Sequence, residues 1–387
     1  MTHENISENI MEKSRLNFVD FMRGLAMVVM IEVHVVNSLM DPALRSESWF
    51  YFVNFINGLV APGFIFVSGF AFMLGSQYRL DELRTFRYAF WKQLGRIMLI
   101  WFLGYMLHIP FFSRYKCMNL ATRDHWLHFM GVDVLQCIAL GLFVIFILRI
   151  LIKSDRLFII TAAVLGFIAV VPAPWIYDID FTKYLPLFLA MYITPVHSTI
   201  FPVVPWFGFM AVGILSAWVF MKFRESGTES IFIKRVLLAG IALFVISLPL
   251  LFYLKDYARV IQDLGPNILF FTVRLGCVFM ILAASYHFCA GRGKIHPIIL
   301  YPSRESLAVY FMHLQVLHRE LWHGKSVITA VNHSLGFGVS LFLSVALILA
   351  MLPMAWAWNH YKTGYRYFGR IAVAVMLTAG MIIFMLR

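Results

Sequence analysis

The chain has 387 residues, 61% of them hydrophobic and only 13% charged, with a mean hydropathy of +0.79. Water-soluble domains carry about 45–50% apolar and about 25% charged residues, so a soluble enzyme is excluded, and disorder, collagen and coiled coil fall with it. The formal net charge of +12 would suit a nucleic-acid binder, but the Lys and Arg residues lie in short loops between apolar runs; that pattern belongs to membrane topology, so lipids and not nucleic acid are the expected partner.

Residues 1–15 are polar and mildly acidic, without the basic-then-apolar order or small-residue cleavage site of a signal peptide, so the first span is expected to be retained. Runs long enough to cross a bilayer follow at 16–40, 50–76, 88–112, 127–148, 157–173, 200–221, 236–254, 267–290, 300–318, 335–358 and 370–386. Even-numbered loops and the tail carry the larger share of Lys and Arg, which places the N-terminus in the cytoplasm. The sequence thus predicts an all-α, polytopic transmembrane helical bundle of about 10–11 spans. It consists of a cytoplasmic tail over 1–15 and a single transmembrane domain over 16–387, without an evident internal repeat.

The first span is the most unusual. It carries Asp20, Arg23, Glu32, His34 and Asn37, although a charge at a helix centre costs about 2.5–3.5 kcal/mol on insertion scales. At about 100° and 1.5 Å per residue, Arg23 and His34 share one face about 16 Å apart, Asn37 lies a turn beyond His34, and Asp20 lies a turn before Arg23. Glu32 points the opposite way and is expected to serve a different contact. The plainer alternatives are a snorkelling Arg23 balanced by Asp20, and a His34 that tethers two helices. In the second span the Pro62-Gly63-Phe64-Ile65-Phe66-Val67-Ser68-Gly69-Phe70 run offers small residues for helix packing and one hydroxyl, Ser68. The loop that follows is basic, with Arg79, Arg84, Arg87, Lys92 and Arg96. His125 and His128 have a spacing open to metal ligation, but no carboxylate or third ligand accompanies them, so no metal is expected. Arg274 in the eighth span is another membrane-embedded charge, expected to meet an acidic group such as Glu32 or a ligand phosphate. In the ninth span Ser306, Tyr310 and His313 fall at i, i+4 and i+7 and share a face. The four cysteines, at 117, 137, 277 and 289, form no CxxC pair.

These parts suit acyl transfer. Histidine takes an acceptor proton near neutral pH, a dipole or cation steadies an oxyanion, and arginine holds donor phosphates. Asp20-Phe21-Met22-Arg23-Gly24-Leu25-Ala26, with ten residues between Arg23 and His34, resembles the first helix of membrane-bound acyltransferases. The Phe66–Phe70 run is similar to their second-helix motif, and Ser306-Leu307 with Tyr310 and His313 to a late helix of theirs. The resemblance is to two related families, the heparan-alpha-glucosaminide N-acetyltransferase catalytic-domain family, including its bacterial members, and acyltransferase family three, whose Arg-to-His spacing fits equally well. The stretches at 30–34 and 61–64 look more like the first.

The resemblance implies an enzyme of the bacterial inner membrane that uses acyl-CoA, chiefly acetyl-CoA, as co-substrate, with no permanently bound cofactor. The acceptor it implies is a sugar hydroxyl or amine on a glycan or lipid-linked saccharide, and a homodimer is compatible with it. His34 is then the general base, with Asp20 and Asn37 in support. Arg23, Ser68, Arg96 and Arg274 are assigned to acyl-CoA, and Ser306, Tyr310 and His313 to the acceptor or oxyanion. Two rival readings stand beside this one: a transporter or exporter, since buried His, Glu and Arg also build substrate pathways, and a structural or sensory subunit.

Overall fold

The computed structural model describes residues 16–111, 113–254, 267–291, 297–319, 325–364 and 366–386; the expected tail, 1–15, lies outside them. Among the described residues no strand forms. The backbone pairs within helices, as it must where no water is available. In chain order the main helices are α1 (Asn17–Leu39), α2 (Ser48–Asn57), α3 (Val60–Gln77), α4 (Tyr88–His108), α5 (Arg123–Met130), α6 (Val134–Leu151) and α7 (Asp155–Val170). They continue with α8 (Val203–Glu225), α9 (Glu229–Leu254), α10 (Ile268–Ala290), α11 (Pro297–Arg304), α12 (Ser306–His318), α13 (Phe337–Gly364) and α14 (Arg366–Leu386). Helix occupies all eleven predicted segments. Among the described residues, six stretches are long and apolar enough to cross a membrane: Ser48–Gln77, α6, α8, α9, α10 and α13.

Two predicted boundaries move, each for a local reason. The run at 127–148 is not one helix. Asp133 caps α6, its side chain accepting from the backbone while Gln136 reaches back to the Asp133 N–H, so the helix starts at Val134 and α5 ends separately. The run at 300–318 is also broken. Pro302 lies inside α11, and Glu305, at φ −109° and ψ 29°, leaves helical geometry before α12 begins at Ser306.

The chain divides into two compact units, each assembled from separate stretches. The first holds the described residues up to 19, 61–108 and 127–291; the second holds 20–60, 109–126 and 292–387. In the first unit, α9 and α10 approach with no side chain between them: a Cβ built on Gly276 would meet the Gly240 carbonyl oxygen at 2.7 Å. Backbone cannot yield as a flexible side chain can. Gly276→Ala is therefore expected to lower stability by about 1–3 kcal/mol, the usual cost of overpacking. Gly75, with nothing within 4 Å of its Cβ position, is the control: Gly75→Ala should gain about 0.5–1 kcal/mol from helix propensity. Thermal melts of the purified protein in one detergent compare the pair.

The junction of α6 and α7, between the predicted spans 127–148 and 157–173, is closed by fully buried Arg149. It donates to Asp155 Oδ1 at 2.7 Å and to Gln77 Oε1 at 2.6 Å, and packs over the Phe158 ring. Partial burial works against the Asp155 charge. Hydrogen bonds from Arg149 and Gln77 and the charges of Arg149 and Arg84 outweigh it and hold the carboxyl below the ordinary range.

In the second unit, the end of α1 is tied to the segment before α13 by paired backbone bonds: Asp41 N–H to Leu335 O at 2.9 Å and Leu335 N–H to Leu39 O at 3.1 Å. The start of α12 is tied to the end of α13. The Glu305 carboxylate, 5% exposed, accepts from Asn359 Nδ2 at 2.7 Å and from Lys362 Nζ at 2.7 Å.

Candidate functional site in the second unit

The second unit brings α1 and α12 together through three rings. The His34 imidazole lies with its centroid 5.2 Å from that of His313 and 6.2 Å from the Tyr310 ring, edge to face. Tyr310 and His313 are 5.6 Å apart and nearly perpendicular. The spacing on α12 puts Tyr310 and His313 on one face. The Glu305 anchor and the helix break before Ser306 determine where that face begins.

His313 is completely buried, with 0% exposure. Its Nδ1 lies 2.8 Å from the Val309 carbonyl oxygen. A carbonyl only accepts, so Nδ1 carries the proton and the neutral ring keeps its lone pair on Nε2. Nε2 is buried and has no hydrogen-bond partner among the described residues. A buried acceptor left unmatched costs about 1–3 kcal/mol and calls for an explanation. Beside it stand a second imidazole and a phenol.

Along α1, Arg23 Nη1 lies 3.6 Å from Asp20 Oδ1, an i, i+3 pair in which the carboxylate is buried and the guanidinium mostly so. Arg23 stands near the start of the same uninterrupted helix that carries His34. Asn37 is exposed, and its carbonyl accepts from Arg45 at 2.7 Å. Ser306 opens α12 and is half-buried. Glu32, on the other side of α1, lines a cavity of about 330 Å³ together with Asn57, under apolar walls from α2 and α13. The other predicted donor-side residues belong to the first unit. Ser68 gives its proton to the Phe64 carbonyl at 2.7 Å, Arg96 is exposed on α4, and Arg274 stacks on Phe270. Arg274 forms no ion pair among the described residues. His125 and His128 do not act as a pair: His125 bonds Thr122, and His128 lies against His108. No group of three or more His, Cys, Asp or Glu side chains is placed to hold a metal among the described residues.

Glu305, Asn359 and Lys362 were not singled out in the sequence, although Glu305 is a charge inside an apolar run and Lys362 closes the next one. Lys362→Met should strand the buried carboxylate and cost up to about 3 kcal/mol, the lower end of the range for a broken buried pair because Lys362 is 45% exposed. Glu305→Gln keeps the hydrogen bond with Asn359 and should lose less. Melting curves of the two variants order the effects.

A helical membrane protein with two imidazoles and a phenol packed together inside one unit, and an arginine–aspartate pair nearer the start of the same helix, has the outline of a membrane-embedded transferase. The catalytic family of heparan-alpha-glucosaminide N-acetyltransferase matches residues 15–257, well over half of the chain. The chain therefore belongs to this family of transmembrane acetyltransferases. A comparison with curated proteins found no match. The matched stretch includes Asp20, Arg23, His34, Asn37, Ser68 and Arg96 but stops short of α12, so Tyr310 and His313 come into the site through the fold alone.

Proposed function

We propose that the chain transfers an acetyl group from acetyl-CoA, taken from the cytoplasm, to a hydroxyl or amine of a glycan or lipid-linked saccharide, in a bacterial inner membrane. The observation that carries the reading is the His34–Tyr310–His313 cluster, with the unmatched His313 Nε2, in which His34 stands on the helix that also bears the Arg23–Asp20 pair. Arg23, oriented by Asp20, engages a phosphate of the donor. The acceptor oxygen or nitrogen attacks the thioester carbonyl and its proton passes to His34. The tetrahedral intermediate collapses, the C–S bond breaks, and the thiolate of CoA recovers the proton. Tyr310 offers a hydroxyl to the oxyanion, and His313 gives the proton on His34 a second acceptor close by. Transfer is direct, so no acyl-enzyme is needed. Asn37 is assigned to polar support and Ser306 to the acceptor or oxyanion.

The test is made in proteoliposomes with acetyl-CoA and a panel of sugars and glycolipids. Free thiol released only when an acceptor is present, in step with acetylated product, is the expected result. Uptake of a panel compound without thiol release would replace this reading with transport.

A further inference from the structure

The first unit contains a cation that the proposed transfer site does not use. Arg274 lies in α10, seven residues from the helix's N-terminal cap, and forms no ion pair among the described residues. Its guanidinium carbon is 3.4 Å from the centroid of Phe270, whose ring is backed edge-on by Trp206 at 6.1 Å. Arg274 Nε is buried without a hydrogen-bond partner among the described residues. Stacking on an aromatic face contributes only about 0.5–2 kcal/mol, which does not offset the cost of an unpaired charge in a spanning helix. Side chains on a helix lean toward its N-terminus. The stack on Phe270 accordingly carries the guanidinium back toward the cap, to within roughly one turn of it.

At that cap stands a second, independent orphan. Asn267 is 2% exposed. Its Oδ1 accepts from the Phe270 N–H at 2.8 Å and caps the helix, while its Nδ2 is buried with no partner among the described residues. Asn267 and Arg274 are seven residues apart, so they lie within about 20° of each other around the axis. The same end of the helix carries the positive pole of its dipole and the first unpaired N–H groups. All the unmatched groups here are donors or positive. No acceptor is supplied by the protein among the described residues.

We propose that Asn267 and Arg274 form a binding site for the phosphate group of an anionic lipid at this end of α10. Arginine presents a planar fork that fits phosphate oxygens, and the amide and the helix end supply further donors. The loop before α10 is one of the odd-numbered loops, which the Lys and Arg distribution puts outside, so the phosphate held here differs from that of a cytoplasmic coenzyme. The site stands independently of the acetyl-transfer reading, because binding at Arg274 needs no turnover.

The full chain in phosphatidylcholine nanodiscs is titrated with geranylgeranyl diphosphate and with inorganic diphosphate, and is also prepared in nanodiscs containing phosphatidate. Binding is read as a rise in melting temperature. The variants are Arg274→Gln, which removes the fork, and Asn267→Asp, which keeps the cap acceptor while replacing the orphan donor with a carboxylate. A saturable rise of roughly 3–5 °C in the wild type, with the apparent Kd raised about tenfold or more in both variants, is expected. A response to geranylgeranyl diphosphate alone identifies a prenyl-linked phosphate, a response to phosphatidate alone identifies a bilayer headgroup, and a response to inorganic diphosphate identifies a free anion at the same site. No rise with any probe, or rises of equal size in wild type and both variants, overturns the proposal.

Discussion

Substituting His34 with alanine is expected to lower the rate of acetyl transfer by about 10²–10⁴-fold, the usual contribution of a positioned general base. The fold should survive the change. His34 is only half-buried and meets the rings of Tyr310 and His313. A melting temperature within a few degrees of wild type would therefore accompany the loss. Such a pattern separates catalysis from the plainer reading of His34 as an interhelical tether, in which stability falls and rate per folded molecule does not. Arg23→Ala should behave differently. It removes the proposed contact with the donor, 11 residues away on the same helix, so KM for acetyl-CoA should rise more than kcat falls.

The second large effect is expected at His313, and the choice of substitution makes it informative. Asparagine places an N–H near the position of Nδ1 and can still donate to the Val309 carbonyl, but it has nothing at the position of Nε2. If Nε2 is the waiting acceptor, His313→Asn loses about 10²-fold or more in transfer while the backbone bond and the helix persist. If His313 merely seals a polar seam, the variant keeps nearly full rate. Initial rates of acceptor-dependent thiol release, normalised to folded protein by melting curve, distinguish the two results.

Much of this site was legible in the sequence because membranes penalise polarity. Asp20, Arg23, Glu32 and His34 stood out as polar groups in an apolar run, and helical arithmetic sorted them onto faces that the uninterrupted α1 preserves. Ser306, Tyr310 and His313 were readable as one face for the same reason. The meeting of Tyr310 and His313 with His34 was not readable, since no local periodicity connects residues as far as 279 positions apart along the chain; that contact depends on tertiary packing. The Asp133 cap could have been found from the Asp-x-x-Gln spacing, which was outweighed by the apolar character of residues 127–130. The break at Glu305 was signalled by Pro302, whereas its use as an anchor for Lys362 and Asn359 required the structure, because the partners come from a separate helix. Arg274 was recognised as anomalous and assigned to the donor; its position beside the buried Asn267 cap is what suggests a different ligand.

The claim on which the account turns is that the two imidazoles act as one proton-handling unit, and a double-mutant cycle measures this directly. Transfer rates are determined for wild type, His34→Ala, His313→Asn and the double variant in the same nanodiscs. The account predicts strong non-additivity, with the double variant hardly slower than the slower single variant, because removing either member already disables the pair. Losses that multiply, or a His313→Asn variant as fast as wild type, would contradict it.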